Sequence, residues 1–325
     1  MKLLKMIAYL FGAIVLLIGL LLLYVKTMLP SVGAPPDIKV TMSTENIERG
    51  KYLANHVLLC MDCHSTRDWT VFAGPPKPGT EGKGGEVFDQ KMGFPGRYVA
   101  KNITPHNLGS WTDGEIFRAI TTGVAKDGRA LFPNMPYRNY GKLDKKDIEA
   151  VIAYIRSIPS INNEIEKSVS DFPMNFIINT IPQKAALTTI PDKSNTLEYG
   201  KYMITAASCI DCHTKQENGK FVGEILAGGF EFKFPDGSIV RSANLTPDDK
   251  SGIEGWSKET FISRFKQYTD STYIPTKVKP GDLQTPMPWT MYAGMHTEDL
   301  AAIYEYLRSV KPVSNVIEKF TPTHP

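Results

Sequence analysis

Cysteine is scarce in this sequence, with four in 325 residues, and at that length the shortage excludes a small disulfide-stapled scaffold. Charge asymmetry is also missing, with 37 basic against 34 acidic residues. That balance excludes the basic stripe needed to grip a phosphate backbone, so no nucleic acid is expected as a partner. Divided at Pro30 and Ser160, the formal charge runs +3, +3 and −3, so part of the excess is an N-terminal matter. The chain has no Gly-rich nucleotide-binding turn after a strand, and no molybdenum, flavin or quinoprotein signature. What it does have is 26 glycines and 23 prolines, a loop-rich but not disordered composition, and enough length for about two ordinary domains.

Long apolar runs are rare, and one stands out. Met6 to Val25 is twenty residues without a charge, the length a helix needs to cross the hydrocarbon of a bilayer. Residues 6–25 are therefore read as a transmembrane anchor in contact with membrane lipid. A cleaved secretory signal is the competing reading, but its apolar region usually runs about 7 to 15 residues and ends at a small-x-small site. Here Lys26-Thr27-Met28-Leu29-Pro30 follows, and Pro35 stands directly after the nearest imitation of such a site, Ser31-Val32-Gly33-Ala34. Retention is expected. Lys2, Lys5 and the terminal amine on the short side place the N-terminus in the cytoplasm and the body of the chain outside, a single pass through the cytoplasmic (inner) membrane with the remainder on the periplasmic or outer side.

All four cysteines fall in two copies of one pattern, Cys60-Met61-Asp62-Cys63-His64 and Cys209-Ile210-Asp211-Cys212-His213. This is the attachment pattern of a c-type haem. Two thiols three positions apart on one helical turn add to the two vinyl groups of a haem, and the next histidine reaches the iron. Zinc is the alternative, but the pairs lie 149 residues apart, far beyond ribbon spacing. A thioredoxin-like pair is another, and the histidine after both pairs and the exported location disfavour it.

The motifs sit inside a longer repeat. Gly50-Lys51-Tyr52 recurs as Gly200-Lys201-Tyr202, Asn102-Ile103-Thr104-Pro105 as Asn244-Leu245-Thr246-Pro247, and Trp111 as Trp256. Ile148 to Ser157 matches Leu300 to Ser309, while the offset drifts through 150, 149, 142, 145 and 152. Helical periodicity leads into each motif, with Gly50 and Gly200 expected at a close crossing with the last helix of the same copy. A second helix is predicted from the capping box at Thr112–Glu115 to Gly123, and a third over Asp144–Ser157, with its counterpart over Thr297–Ser309. Between motif and second helix lie Gly/Pro-rich stretches, 65–101 and 214–243, whose turns suggest a small hairpin. The connecting segment carries an apolar run, Phe172 to Ile178, expected to pack across a domain surface.

The repeat also supplies a second axial ligand. Met135 in Phe132-Pro133-Asn134-Met135-Pro136-Tyr137 and Met287 in Gln284-Thr285-Pro286-Met287-Pro288-Trp289 are 152 apart, in step with the last helix. A proline beside each thioether makes a stiff, non-helical segment able to hold it at an iron. His56, His106, His296 and His324 are not duplicated and are read as packing, solvent or helix-start residues. Trp111, Trp256, Asn102, Asn244, Tyr137 and Trp289 line the haems or are ordinary core and turn residues, two readings the sequence leaves open. Methionine opposite histidine fills the sixth position and raises the potential, which points to electron transfer rather than oxygen or peroxide chemistry.

Around Asn102-Ile103-Thr104-Pro105, Trp111, Met135-Pro136-Tyr137 and Ala153-Tyr154-Ile155-Arg156-Ser157, in both copies, the sequence resembles the cytochrome c subunits of bacterial membrane-bound alcohol and gluconate dehydrogenases. The resemblance implies a small class I cytochrome c fold for each copy, and haems that pass electrons from a dehydrogenase subunit towards membrane quinone or another acceptor. The resulting expectation is an all-α chain. It has a transmembrane anchor at 6–25, tandem cytochrome c domains at 40–160 and 195–312, and a linker at 161–194. Two covalently bound haem c groups are expected, attached through Cys60, Cys63, Cys209 and Cys212 and ligated by His64 with Met135 and by His213 with Met287. No catalytic residue is expected. An exported dehydrogenase subunit would be the electron donor, and a membrane or periplasmic component of the respiratory chain the acceptor. A dihaem peroxidase is the main rival, but it wants one iron with an open sixth site where this sequence offers two equivalent methionines. The haem subunit of a terminal oxidase is the other.

Overall fold

The computed structural model of the chain describes residues 1–323. It is mainly helical, and one helix, Lys2–Met28, stands apart with no buried residue. Its apolar side chains face outward all round, and its mean hydropathy reaches 2.8 over 18 residues. By length and composition the helix is apolar enough to cross a membrane.

In each repeat a leading helix runs into the Cys-x-x-Cys-His turn and a closing helix crosses it. The first pair is Thr44–Tyr52 and Lys145–Ser157, and the second is Thr196–Ala206 and Thr297–Ser309. Ser43 caps the first leading helix by accepting from the Asn46 N–H at 3.2 Å, and Asp144 caps the first closing helix. Where the helices cross, a β-carbon on Gly50 would run into the Ala150 carbonyl, and one on Gly200 into the Ala302 carbonyl. Glycine is required at both positions because backbone meets backbone there. The predicted capping box closes Asp113–Thr122, which ends at Gly123, and Ser257 caps its counterpart, Lys258–Lys266.

The drift of the repeat offset has a structural cause. The first repeat carries one residue more between Gly50 and Cys60 than the second does between Gly200 and Cys209. That residue is absorbed in a π-helical turn, Leu53–Val57, closed by the Leu58 N–H onto the Leu53 carbonyl at 2.7 Å. The second leading helix stays α-helical through the same stretch. A π turn is the usual way to accommodate one extra residue without breaking a helix.

Short strands depart from the all-α expectation. In the first repeat Val87–Phe88 pairs with Gly96–Val99 (Val87 opposite Val99), and Val169–Ser170 returns to pair with the second of these. In the second repeat Glu231–Lys233 pairs with Ile239–Arg241, and Phe320–Thr321 returns in the same way. The Gly/Pro-rich stretches thus fold into hairpins that each take a third strand from the chain beyond the closing helix. The structural repeat therefore continues past residues 160 and 312, into segments read from sequence as linker and tail.

The repeats face each other through a reciprocal contact. Tyr52 Oη donates to Asp299 Oδ2 at 2.5 Å and accepts from the His296 N–H at 3.1 Å. Its equivalent, Tyr202 Oη, donates to Asp147 Oδ2 at 2.7 Å and accepts from the Asp144 N–H at 3.1 Å. Arg49 also donates twice to Asp147, and Tyr199 donates to Asp299. Burial, reinforced by the neighbouring carboxylate, pushes the Tyr52 and Tyr202 phenols well above their ordinary value, so both remain donors. This is the self-complementary geometry of a twofold interface, made within one chain.

Candidate haem sites

Each motif begins with a break. Leu59 (φ 59°) and Ser208 (φ 54°) adopt the left-handed conformation and turn the leading helix into a one-turn helix, Cys60–Cys63 or Cys209–Cys212. A non-glycine residue there is strained, and the strain recurs at the same place in both copies. Within the turn the cysteines stand at i and i+3, on one face. Three of the thiols are half-buried and Cys212 is open to the adjoining cavity. The surrounding protein pushes all four thiols up to about 12, the reverse of the depressed thiol a redox-active disulfide pair needs.

The histidines are oriented alike. His64 Nδ1 lies 2.6 Å from the Lys101 carbonyl and His213 Nδ1 lies 2.8 Å from the Ala243 carbonyl. A carbonyl only accepts, so each Nδ1 carries the proton and each Nε2 keeps its lone pair. Burial lowers both imidazoles below their ordinary value and holds them neutral, the form that binds a metal.

Met135 and Met287 lie in non-helical segments, each followed by a one-turn helix, Tyr137–Tyr140 or Trp289–Tyr292. From that helix Tyr140 donates to the Leu58 carbonyl at 2.5 Å, and Tyr292 to the Ala207 carbonyl at 2.6 Å. These bonds tie each methionine loop to the backbone just before its own cysteine turn. Sequence reasoning missed both tethers, although the signal was there: each tyrosine follows its methionine by five positions.

All eight residues singled out from sequence, Cys60, Cys63, His64, Met135, Cys209, Cys212, His213 and Met287, line one continuous cavity of about 2840 Å³. That exceeds the roughly 300–1,000 Å³ of a cleft for one small ligand. Trp111, Trp256 and Trp289 share its wall. With cysteines on one helical face, neutral histidines whose tautomer is fixed by a carbonyl, and a thioether in the same cavity, the residues fit a covalently attached haem. Among the described residues no group of three or more His, Cys, Asp or Glu is arranged to hold a metal ion by itself.

Asn102 and Asn244 also line the cavity, and their side chains hold backbone there. The Asn102 side chain accepts from the Thr104 N–H at 2.9 Å and donates to the Ile161 carbonyl at 2.8 Å, and Asn244 does the same with Thr246 and Val313 at 2.9 and 2.7 Å. The Asn-x-Thr-Pro repeat is thus a staple fastening the third strand's approach. His56 sits in the π turn, with Nδ1 2.9 Å from the Met291 carbonyl of the other repeat. His106 lies 3.2 Å from Glu164, and His296 occupies a helix cap. His324 lies outside the described residues.

Paired Cys-x-x-Cys-His turns on this scaffold are the arrangement by which c-type cytochromes hold haem. No protein-family model matches the chain. Among curated proteins, it is 26% identical over 282 residues to the fructose dehydrogenase cytochrome subunit of Gluconobacter japonicus, covering 82% of this chain and 52% of that protein. To the alcohol dehydrogenase (quinone) cytochrome c subunit of Gluconacetobacter polyoxogenes it is 25% identical over 283 residues, 82% of this chain and 56% of the other. A diheme cytochrome c-type protein of Cereibacter sphaeroides is 26% identical over 188 residues, 54% of this chain and 62% of the other. The chain spans about half the length of the two dehydrogenase subunits. These relatives are cytochrome subunits rather than substrate-oxidising ones, and they imply covalently bound haem c here.

Proposed function

We propose that the chain is a membrane-anchored dihaem cytochrome c that carries electrons from an exported dehydrogenase to an acceptor of the respiratory chain. Its two class I cytochrome c domains span 40–160 and 195–312, each completed by its returning strand. The observation that carries the proposal is the duplicated set of cysteines, histidine and methionine on one continuous cavity. When bound, haem c supplies one-electron redox chemistry without bond-making at a substrate.

The protein's own residues account for the rest of the function. His64 and His213 present Nε2 while the Lys101 and Ala243 carbonyls hold Nδ1. Met135 and Met287 would supply the thioether ligands to the irons, favouring electron transfer over peroxide or oxygen chemistry. Tyr140 and Tyr292 keep each methionine in register with its histidine. The Tyr52–Asp299 and Tyr202–Asp147 bonds fix the separation of the two sites. Met6–Val25 anchors the chain as a single pass through the cytoplasmic membrane, with Lys2 and Lys5 inside and the haem domains outside. The anchor confines the search for donor and acceptor to the membrane face, which raises their effective concentration.

The test is gentle detergent extraction followed by identification of co-purifying subunits. The proposal requires a dehydrogenase subunit in stoichiometric amount. Recovery of the cytochrome alone, with strongly salt-dependent reduction, would make it a transient shuttle instead. Sustained turnover of peroxide with an electron donor would make it a peroxidase.

A further inference from the structure

The helix Lys2–Met28 carries its uncharged stretch between Lys5 and Lys26. About 20 apolar residues suffice to cross the hydrocarbon, so Lys26 marks the level at which the helix leaves it on the side of the globular body. The chain returns to that level much later. Lys26 Nζ donates to the Asn175 carbonyl at 2.7 Å, and its ammonium lies 4.9 Å from the centre of the Phe176 ring.

Asn175 and Phe176 belong to a stretch of twelve residues without a charge, Phe172 to Gln183, bounded by Asp171 and Lys184. It forms a short helix, Met174–Ile177, and a 3-10 turn, Ile178–Thr180. Met174, Ile177, Ile178 and Ile181 line the cavity of the haem sites, in keeping with the packing expected from sequence, whereas Phe172, 80% exposed, Pro173 and Phe176 do not. Both ends are tied to the body. Gln90 donates to Asp171 at 2.9 Å, and the Ala186 N–H donates to the Gly141 carbonyl at 2.8 Å. The segment thus turns its aliphatic side to the cavity and leaves Phe172, Pro173 and Phe176 beside the end of the helix Lys2–Met28.

We propose that Phe172, Pro173 and Phe176 are a second membrane contact, a wedge seated at headgroup level in the lipid leaflet nearest the globular body. The inference rests on reading Met6–Val25 as a membrane span. Aromatic side chains are suited to that interface, and Phe176 meets the apolar helix at Lys26, where it leaves the hydrocarbon. One helix leaves the body free to swivel about its axis. A second contact off that axis sets which face of the two haem domains looks along the membrane.

The test uses the full-length holoprotein in phosphatidylcholine vesicles, with a nitroxide on Phe172→Cys and, as the water reference, on Val316→Cys, a position 82% exposed in the C-terminal segment. An unchanged haem absorbance spectrum certifies folding of each variant. We expect the label at 172 to collide several-fold more with oxygen, and several-fold less with a water-soluble nickel chelate, than the label at 316. Equal accessibility to nickel at both positions would overturn the wedge. So would shielding of the 172 label from both reagents, which would mean a protein cover rather than lipid. Flotation of the same samples separates the two readings. A chain that fails to float with vesicles refutes the anchor, whereas one that floats with 172 exposed to water refutes the wedge alone.

Discussion

The two repeats build the same ligand geometry on unequal supports. In the first, Met61 and Asp62 of the cysteine turn are buried, and Asp62 pairs with Arg67 at 3.1 Å inside its own repeat. Arg67 in turn lies over the Trp69 ring at 4.1 Å. In the second, no residue of the cysteine turn is buried, and Asp211 is held by Asn139 of the first repeat at 2.8 Å. The second methionine loop also leans across: Gln284 donates to the Val71 carbonyl at 2.9 Å and accepts from the Ala73 N–H at 2.8 Å. The first cysteine turn is held within its own repeat, and the second is finished by the first. The ligands and the Tyr–Asp clamp between the halves are duplicated, whereas the contacts of Asp211 and Gln284 across the halves are not.

The largest effect expected from that inequality concerns haem attachment. Cys60→Ala with Cys63→Ala should remove the first haem and loosen the second, whereas Cys209→Ala with Cys212→Ala should remove only its own. Haem absorbance per chain and the spectrum of the surviving site distinguish the cases, and equal damage from either pair would erase the inequality. The clamp is next. Asp299 is fully buried between Tyr52 and Tyr199, so Asp299→Ala strands two phenols and should cost about 3–5 kcal/mol. Asp147→Ala leaves Arg49, which reaches solvent, and should cost less. Denaturant midpoints measure both.

Gly50→Ala and Gly200→Ala should each destabilise by about 1–3 kcal/mol from the clash at the helix crossing, despite the gain of about 1 kcal/mol that alanine brings to a helix. A stabilised variant at either position would show that the crossing is not tight there. The smallest effect belongs to His56, which has no counterpart in the second repeat. Burial lowers its folded-state value below the ordinary 6.5, so its contribution is complete above that pH and declines as pH falls through it. His56→Gln should flatten this part of the stability profile relative to the unaltered protein.

Much of the site was legible because duplication filters chance. Two Cys-x-x-Cys-His turns, two methionines between prolines and two glycines at one offset each point to a shared constraint, and all of these residues line the cavity or the helix crossings. What escaped was long-range. Nothing near Tyr52 announces Asp299, 247 positions away, although both are duplicated and the pairing was there to be tried. The small hairpins were announced by their turns, but their third strands escaped because two-residue ladders carry no periodicity and lie beyond the closing helices. The run Phe172 to Ile178 reads as a packing segment, which fits its place on the cavity wall, but the meeting of Phe176 with Lys26 had no signal in the sequence.

The central claim is that each half holds one haem between its own histidine and its own methionine. It is tested most directly by counting haems per chain and recording the methionine-to-iron charge-transfer band in the unaltered protein, in Met135→Ala and in Met287→Ala. The account predicts two haems in all three proteins, with each variant losing its own half of the band. A single haem per chain, or a full band in either variant, would contradict it.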